Sequence, residues 1–428
     1  MQTAIHLPDS RYAVFRLMVA LLIMTVGSSS MYIVSVVLPA VQAEFGVPRA
    51  QAALPYTFLM IGFGLGGIAM GRMADRFGVM RPLLVGALSL GIGFAASGFA
   101  SGILAFTVIQ ALLVGAMGSA TTLGPLIADT TLWFVRRRGI AVAVCASGNY
   151  LSGAIWPPIV QALVERHGWR QTYIELGVFC GVTMFVLALF MRARSPAIRP
   201  VVSVTTPATA AGASAHSAAA GQLASSRPFG LSAGMAQALL NVAGVACCVA
   251  MAMPQVHIVA YCGDLGYGVA RGAQMLSLML GFGIVSRLVS GLICDRIGGL
   301  RTLLLGSVLQ CVALLLFLPF DGLASLYVIS ALFGLFQGGI VPAYAIVVRE
   351  YFPASEAGGR VGTVLMATLL GMALGGWMSG KVFDLTGSYH AAFLNGIAWN
   401  LLNMTIVITL LFRSRRGLRA LVPSRVTG

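Results

Sequence analysis

"GRMADRFGVMR", residues 71–81, returns further along the chain as "GLICDRIGGLR", residues 291–301. The two stretches share Gly, Asp, Arg, Gly and Arg at a constant offset of 220 residues. A second similarity follows each copy. Pro125 is matched by Pro342 at an offset of 217 residues, and Trp133-Phe134 is matched by Tyr351-Phe352 at an offset of 218 residues. The chain is therefore built from two related halves.

Long apolar runs surround both copies. The 428-residue chain is 58% hydrophobic and 9% charged, whereas soluble proteins carry about 25% charged residues. A membrane-spanning helix needs about 20 apolar residues. Twelve such runs lie near residues 16–40, 52–71, 83–100, 104–128, 140–163, 171–191, 232–258, 272–293, 302–319, 324–347, 361–381 and 391–412. Strands would leave unpaired edges in lipid, so the sequence predicts an all-α membrane protein with twelve transmembrane helices in two six-helix bundles.

The composition changes between the sixth and seventh runs. Residues 195–228 are rich in Ala, Ser, Thr and Pro and lack the apolar content to fold alone. We therefore predict an N-terminal bundle at 1–194, a disordered cytoplasmic linker at 195–228 and a C-terminal bundle at 229–428. A repeat with six helices per copy is typical of secondary transporters, whose substrate site lies between the halves near the membrane midplane.

The net charge of +15 reflects topology rather than a nucleic-acid partner. Most arginines fall in one set of alternating loops, and that set includes both termini. The opposite loops hold only Arg49, Arg166, Arg170 and Arg271, with Lys381 at their border. The positive-inside rule then places both termini and the linker in the cytoplasm. One lysine among 27 basic residues, in a chain rich in Ala and Gly, is typical of a GC-rich bacterial source, which predicts the bacterial inner membrane.

The duplicated loop, G-x-x-x-D-R-x-G-x-x-R, resembles the signature loop of the major facilitator superfamily. Its aspartates can accept charge-assisted hydrogen bonds and form a cytoplasmic latch that breaks when the inner face opens. The alternative is that its arginines only anchor the topology. The residues assigned to the latch are Gly71, Asp75, Arg76, Arg81, Gly291, Asp295, Arg296 and Arg301.

Two further stretches resemble the monocarboxylate transporter and oxalate/formate antiporter group, which moves small organic anions. They are "WFVRRRGIAVAV" at 133–144 and "MPQVHIVAYCGDLGY" at 253–267 followed by Arg287. The chain departs from animal members at Gly283, where they carry an acidic residue. The resemblance implies transport of a small carboxylate, with a proton as the expected co-substrate, by a chain that functions as a monomer.

Arg287 is the strongest candidate for a substrate contact. Eight residues at 1.5 Å each place it about 12 Å from Asp295, close to the middle of a hydrocarbon core of roughly 30 Å. A cation at that depth costs at least ~2.5 kcal/mol and must face a cavity or a partner. Arginine also grips a carboxylate with two parallel hydrogen bonds. The alternative is that Arg287 bridges helices through backbone carbonyls.

The remaining candidates are polar or aromatic residues inside predicted spans. They could line the substrate cavity, or they could serve as interhelical hydrogen-bonding groups. These residues are Tyr32, Asn149, Tyr150, Trp156, Gln337 and Tyr344. His257 could gate the mouth or relay a proton, or it could hold a neighbouring backbone.

Other classes of function find little support. "GLSAG" at 230–234 and "GFGLGG" at 62–67 resemble catalytic or phosphate-binding motifs, but they lack the strand context that such motifs need. "GGWMSGKV" at 375–382 nearly matches a phosphate-binding loop, but it ends in Val382 where a Ser or Thr should bind magnesium. The seven cysteines show no metal-ligand spacing. We therefore predict no enzyme, metal or cofactor. Two alternatives remain, namely proton-coupled efflux of drugs or cations and a membrane sensor that binds a ligand without moving it.

Overall fold

The computed structural model describes residues 8–193 and 228–420, which form no β-strand. The helices are α1 (Arg11–Phe45), α2 (Arg49–Phe77), α3 (Met80–Gly98), α4 (Ile103–Trp133), α5 (138–167), α6 (169–190), α7 (Ala233–Asp264), α8 (Val269–Ile297), α9 (Gly299–Leu316), α10 (Leu323–Tyr351), α11 (Ala354–Thr386) and α12 (Tyr389–Ala420). The all-α fold is as predicted. The linker predicted at 195–228 lies outside the described residues except for Pro228.

Helices α5 and α6 form one hydrogen-bonded run, Arg138–Phe190, that Gly168 divides. Gly168 has φ 78° and ψ 160°, a conformation that residues with a Cβ rarely adopt. The described ranges contain eleven apolar helices long enough to span a membrane, and Arg138–Phe190 is one of them. Its division at Gly168 therefore gives twelve crossings. Most helices extend beyond the apolar runs, as α8 does, because the helical backbone continues into the polar ends.

Helices α1 and α4 are both irregular where they contact each other. Helix α1 is interrupted at Ser28 and Ser29, and α4 widens into a π-helix over Gln110–Gly118. The two irregular segments are joined by hydrogen bonds, since Ser119 Oγ donates to Gly27 O at 2.8 Å and lies 2.6 Å from Ser30 Oγ. The hydroxyl groups thus satisfy backbone carbonyls that the breaks leave free.

The two six-helix halves meet mainly along three helix pairs. Helix α7 packs on α1, α11 on α2 and α8 on α5. Helices α1 and α7 are the most buried of the described spans, so they form the centre of the molecule. The interface therefore runs through the middle of the protein, where a midplane side chain can be reached from both halves.

Helices α2 and α11, one from each half, approach each other closely toward one end of the molecule. We call the end that holds the start of α1 and the end of α12 the terminal side, and the other end the far side. On the far side, Thr57 Oγ1 donates to Ala373 O at 3.0 Å, and a Cβ added to Gly380 would lie 3.0 Å from the backbone of Ala50. Toward the terminal side, a Cβ added to Gly71 or Gly362 would find no described atom within 4 Å. Helices α2 and α11 therefore diverge toward the terminal side.

Candidate functional site

A cavity of about 140 Å³ lies between the two halves. Its walls come from α1, α2, α4 and α5 on one side and from α7, α8, α10 and α11 on the other. Arg287 is the one charged side chain among the described residues that line it. The other polar lining residues include Tyr32, Asn149, Tyr150, Gln255 and Thr368, and the apolar wall includes Met31, Met60, Met251 and Met372.

The Arg287 side chain bridges the halves through neutral groups. Its Nη1 donates to Ala146 O of α5 at 3.1 Å, and its Nε donates to Gly338 O of α10 at 3.5 Å. Its Cζ lies 4.3 Å from the centre of the Tyr150 ring. None of the ion pairs between described side chains includes Arg287. The backbone-carbonyl contacts expected from sequence are present, yet they leave the positive charge without a carboxylate.

Gly283 makes room for the Tyr150 ring. A Cβ added to Gly283 would overlap that ring, and a Cβ added to Gly338 would overlap the backbone of Gly283. The ring in turn supports the Arg287 guanidinium through a cation–π contact. An acidic side chain at position 283 would collide with Tyr150, which accounts physically for the departure noted in the sequence.

Tyr32 and Asn149 join α1 to α5 beside the cavity. The Tyr32 hydroxyl donates to Asn149 Oδ1 at 3.0 Å, and Asn149 Nδ2 donates to Met31 Sδ at 3.5 Å. With Arg287 and Tyr150, these side chains place four of the seven candidate residues at one cavity.

Gln337 and Tyr344 do not line this cavity. Gln337 accepts a hydrogen bond of 3.0 Å from Gln255 Nε2, and Gln255 is the one that reaches the cavity wall. The Tyr344 hydroxyl donates to Asn403 Oδ1 at 2.8 Å inside the C-terminal half. Trp156 Nε1 likewise donates to Thr25 O at 3.0 Å. All three make the interhelical bonds that were the alternative to substrate contact.

His257 is fully buried and lies away from the cavity lining. Its Nε2 donates to Gly376 O of α11 at 2.8 Å, and its ring centre lies 5.9 Å from that of Tyr389. Its Nδ1 has no hydrogen-bond partner among the described residues. His257 thus makes the backbone contact that was the alternative to a proton relay, and it keeps one ring nitrogen without a described partner.

Arg49 closes the far side, a role that sequence reasoning missed. Its Nη2 donates to both carboxylate oxygens of Asp264 at 3.1 and 3.2 Å, and its Nη1 donates to the Tyr389 hydroxyl at 2.6 Å. The backbone N–H groups of Arg49 and Ala50 both donate to the Asp384 carboxylate at 2.8 Å. Every one of these partners belongs to the C-terminal half. The sequence held one indication of this role, because Arg49 is one of the few basic residues in the far-side loops.

The residues assigned to the latch are largely exposed. Asp75, Arg76, Arg81, Gly291, Asp295, Arg296 and Arg301 are exposed, and Gly71 is half-buried. Between the described residues, no hydrogen bond or ion pair joins the two loops. The latch stays a prediction for a state in which that side is closed.

Comparisons with known proteins agree with this architecture. A family model for the Major Facilitator Superfamily matches residues 19–325 and 284–426. Monocarboxylate transporter 13 of Bos taurus is 27% identical over 341 residues, covering 79% of this chain and 75% of that protein. A probable sulfoacetate transporter of Cupriavidus necator is 32% identical over 160 residues, or 37% of this chain.

Solved structures share the fold at low identity. A bacterial homologue of the human lysosomal transporter Spinster, in an inward-facing and unoccupied conformation, has a TM-score of 0.69 at 15% identity, covering 97% of this chain and 100% of that one. A peptide transporter in complex with sulfate has a TM-score of 0.72 at 14% identity, covering 97% of each chain. Because the family model matches most of the sequence and the helices follow the same architecture, the chain belongs to the major facilitator superfamily.

Proposed function

We propose that this transporter moves a small organic anion of the monocarboxylate type by alternating access of the central cavity. The observation that carries the proposal is the Arg287 guanidinium, which faces the cavity with neutral partners and no carboxylate among the described residues. A cation in that position favours an anionic ligand. One charge and a wall rich in methionine suit a single carboxylate with an apolar remainder.

We also propose an orientation and a co-substrate. The arginine-rich terminal side faces the cytoplasm of a bacterial cell by the positive-inside rule, and the chain functions as a monomer. A proton accompanies the anion, and His257 is the side chain assigned to it because its Nδ1 has no described hydrogen-bond partner. The relatedness to a monocarboxylate transporter at 27% identity supports the substrate class.

Uptake into liposomes tests the proposal against its alternatives. The purified protein is reconstituted and exposed to radiolabelled aliphatic and aromatic monocarboxylates and, in parallel, to a cationic dye. We expect accumulation of at least one monocarboxylate, and a pH gradient should change its extent if a proton moves with it. Unchanged accumulation under a pH gradient would remove the proton from the proposal.

The other outcomes separate the alternatives. Transport of the cationic dye without carboxylate uptake would support drug or cation efflux. Carboxylate binding without any flux would support a membrane sensor. Either result would replace the proposed function.

The duplicated loops lead to a prediction about Asp75. The substitution Asp75→Asn removes a charge-assisted acceptor that we propose is used when the terminal side closes, and it leaves the cavity unchanged. We expect the maximal transport rate to fall while the affinity for substrate is kept. Asp321→Asn, the same change at an exposed far-side residue, is the control. Wild-type transport by Asp75→Asn would show that the loop only anchors the topology.

A further inference from the structure

A second pocket lies on the terminal side of the N-terminal half, away from the central cavity. It has a volume of about 540 Å³ and is bounded by the beginnings of α1 and α3 and the ends of α2 and α4. Four arginines and two aspartates line it: Arg16, Arg76, Arg81, Arg192, Asp75 and Asp129. Positive charge therefore predominates in the pocket.

Arg16 brings a buried donor to this pocket. Its side chain is 3% exposed, and its Nε and Nη2 donate to the Asp129 carboxylate at 2.9 and 3.0 Å. Its Nη1 is also buried, but it has no hydrogen-bond partner among the described residues. A buried guanidinium nitrogen without an acceptor is costly. The guanidinium is paired with Asp129 and lies 4.8 Å from the centre of the Trp133 ring, so Nη1 is its one nitrogen without a described hydrogen-bond acceptor.

The beginning of α3 adds a second source of positive potential. The helix is 19 residues long, and its N-cap residue, Val79, makes no side-chain capping bond. The first N–H groups of a helix have no partner within it, and they attract anions. Arg76 and Arg81 flank this end, with their Cζ atoms 5.2 and 5.0 Å from the centre of the Phe77 ring.

The C-terminal half shows what fills the equivalent place. Gly299, at the beginning of α9, donates its N–H to both carboxylate oxygens of Glu350 at 2.9 and 3.1 Å. The offset of 220 pairs Gly299 with Val79, and the offset of 218 pairs Glu350 with Leu132. The C-terminal half therefore supplies a carboxylate, that of Glu350, to the beginning of α9. The N-terminal half has the apolar residue Leu132 at the equivalent position, where it lines the pocket.

We propose that the terminal-side pocket of the N-terminal half binds a phosphate group. Arg16 Nη1, Arg81 and the first N–H groups of α3 are the donors, and this set matches the oxygens of a phosphate. The volume admits a phosphate with an attached glycerol. The phosphate comes either from an anionic lipid headgroup or from the solvent, since both present the same chemistry. This site is independent of the carboxylate proposed for the central cavity.

Thermal unfolding of delipidated, purified protein in a neutral detergent tests the site. One arm adds inorganic phosphate, a second adds dihexanoylphosphatidylglycerol, and a third adds sodium chloride at equal ionic strength. We expect the unfolding temperature to rise in a saturable way with at least one phosphate compound, because a ligand that binds only the folded state stabilises it. A rise with inorganic phosphate indicates a soluble ligand, and a rise with the lipid alone indicates a headgroup. No rise beyond that in sodium chloride would overturn the proposal.

Two substitutions assign the effect to this pocket. Leu132→Glu supplies the carboxylate that Glu350 supplies in the other half, and Leu132→Gln is its uncharged control; Leu132 is 36% exposed and tolerates a polar side chain. We expect Leu132→Glu to weaken phosphate binding roughly tenfold or more, while Leu132→Gln keeps it. Arg81→Gln should weaken it similarly, and this variant decides the matter if Leu132→Glu fails to fold. Phosphate binding by both Leu132→Glu and Arg81→Gln at the affinity of the wild-type protein would refute the site.

Discussion

Replacing Arg287 with glutamine should nearly abolish carboxylate transport, and replacing it with lysine should weaken transport strongly. Lysine keeps the positive charge but loses the planar pair of donors that fits a carboxylate. Loss of a desolvated, hydrogen-bonded ion pair with the substrate costs about 2 to 5 kcal/mol, or roughly 30-fold to several-thousand-fold in affinity. Initial uptake rates in liposomes, normalised to the amount of inserted protein, measure the effect.

The matched control lies on the same helix. Arg271 is an exposed arginine at the far-side end of α8, so Arg271→Gln removes the same charge without touching the cavity. We expect this variant to transport at close to the wild-type rate. Insertion of Arg287→Gln should survive, since loss of a midplane charge lowers the cost of insertion. Equal uptake by wild type and Arg287→Gln would contradict the proposed role of Arg287.

Replacing Arg49 with glutamine should open the far side. Arg49 is 7% exposed and inserts into a cluster of Asp264, Asp384 and Tyr389 across the interface. Removing one partner from a buried charge cluster is destabilising. Because Asp264 is partly exposed, we expect a loss of about 1 to 3 kcal/mol, or roughly 5- to 150-fold in the population of the far-side-closed state.

Cysteine accessibility measures this shift. Ala53 is fully buried near Arg49, so a cysteine introduced by Ala53→Cys should react faster with an impermeant thiol reagent, added from the far side, once Arg49→Gln is present. Arg170→Gln is the control, because Arg170 pairs at 2.7 Å with Glu44 of its own half. An unchanged reaction rate in the Arg49→Gln background would show that the cluster does not hold the far side closed.

The sequence predicted the helices well because each apolar run must satisfy its own backbone hydrogen bonds in lipid. The repeat at offset 220 also predicted the two halves. The midplane depth of Arg287 followed from counting residues to Asp295, and the structure places Arg287 at the cavity together with Tyr150. These inferences depend on local spacing, which a single sequence shows directly.

The features that sequence reasoning missed depend on contacts between distant parts of the chain. Arg49 meets Asp384, 335 residues away, and no local pattern marks that pair. Gly283 leaves space for the Tyr150 ring, and residue spacing within α8 does not indicate this contact. Tyr344 is hydrogen-bonded to Asn403, because an interhelical partner satisfies a buried hydroxyl as well as a substrate does. Residue type alone does not separate these two roles.

The most direct test of the central claim is ligand-induced thermal stabilisation of purified wild-type protein and the Arg287→Gln variant, with the monocarboxylate that is taken up best. A ligand at 100 times its Kd adds about 2.7 kcal/mol to the stability of the folded state. We predict a saturable rise in unfolding temperature for wild type that is absent or much reduced in Arg287→Gln at the same ligand concentration. The same rise at the same half-saturating concentration in both proteins would contradict the account, because it would show that the carboxylate binds without Arg287.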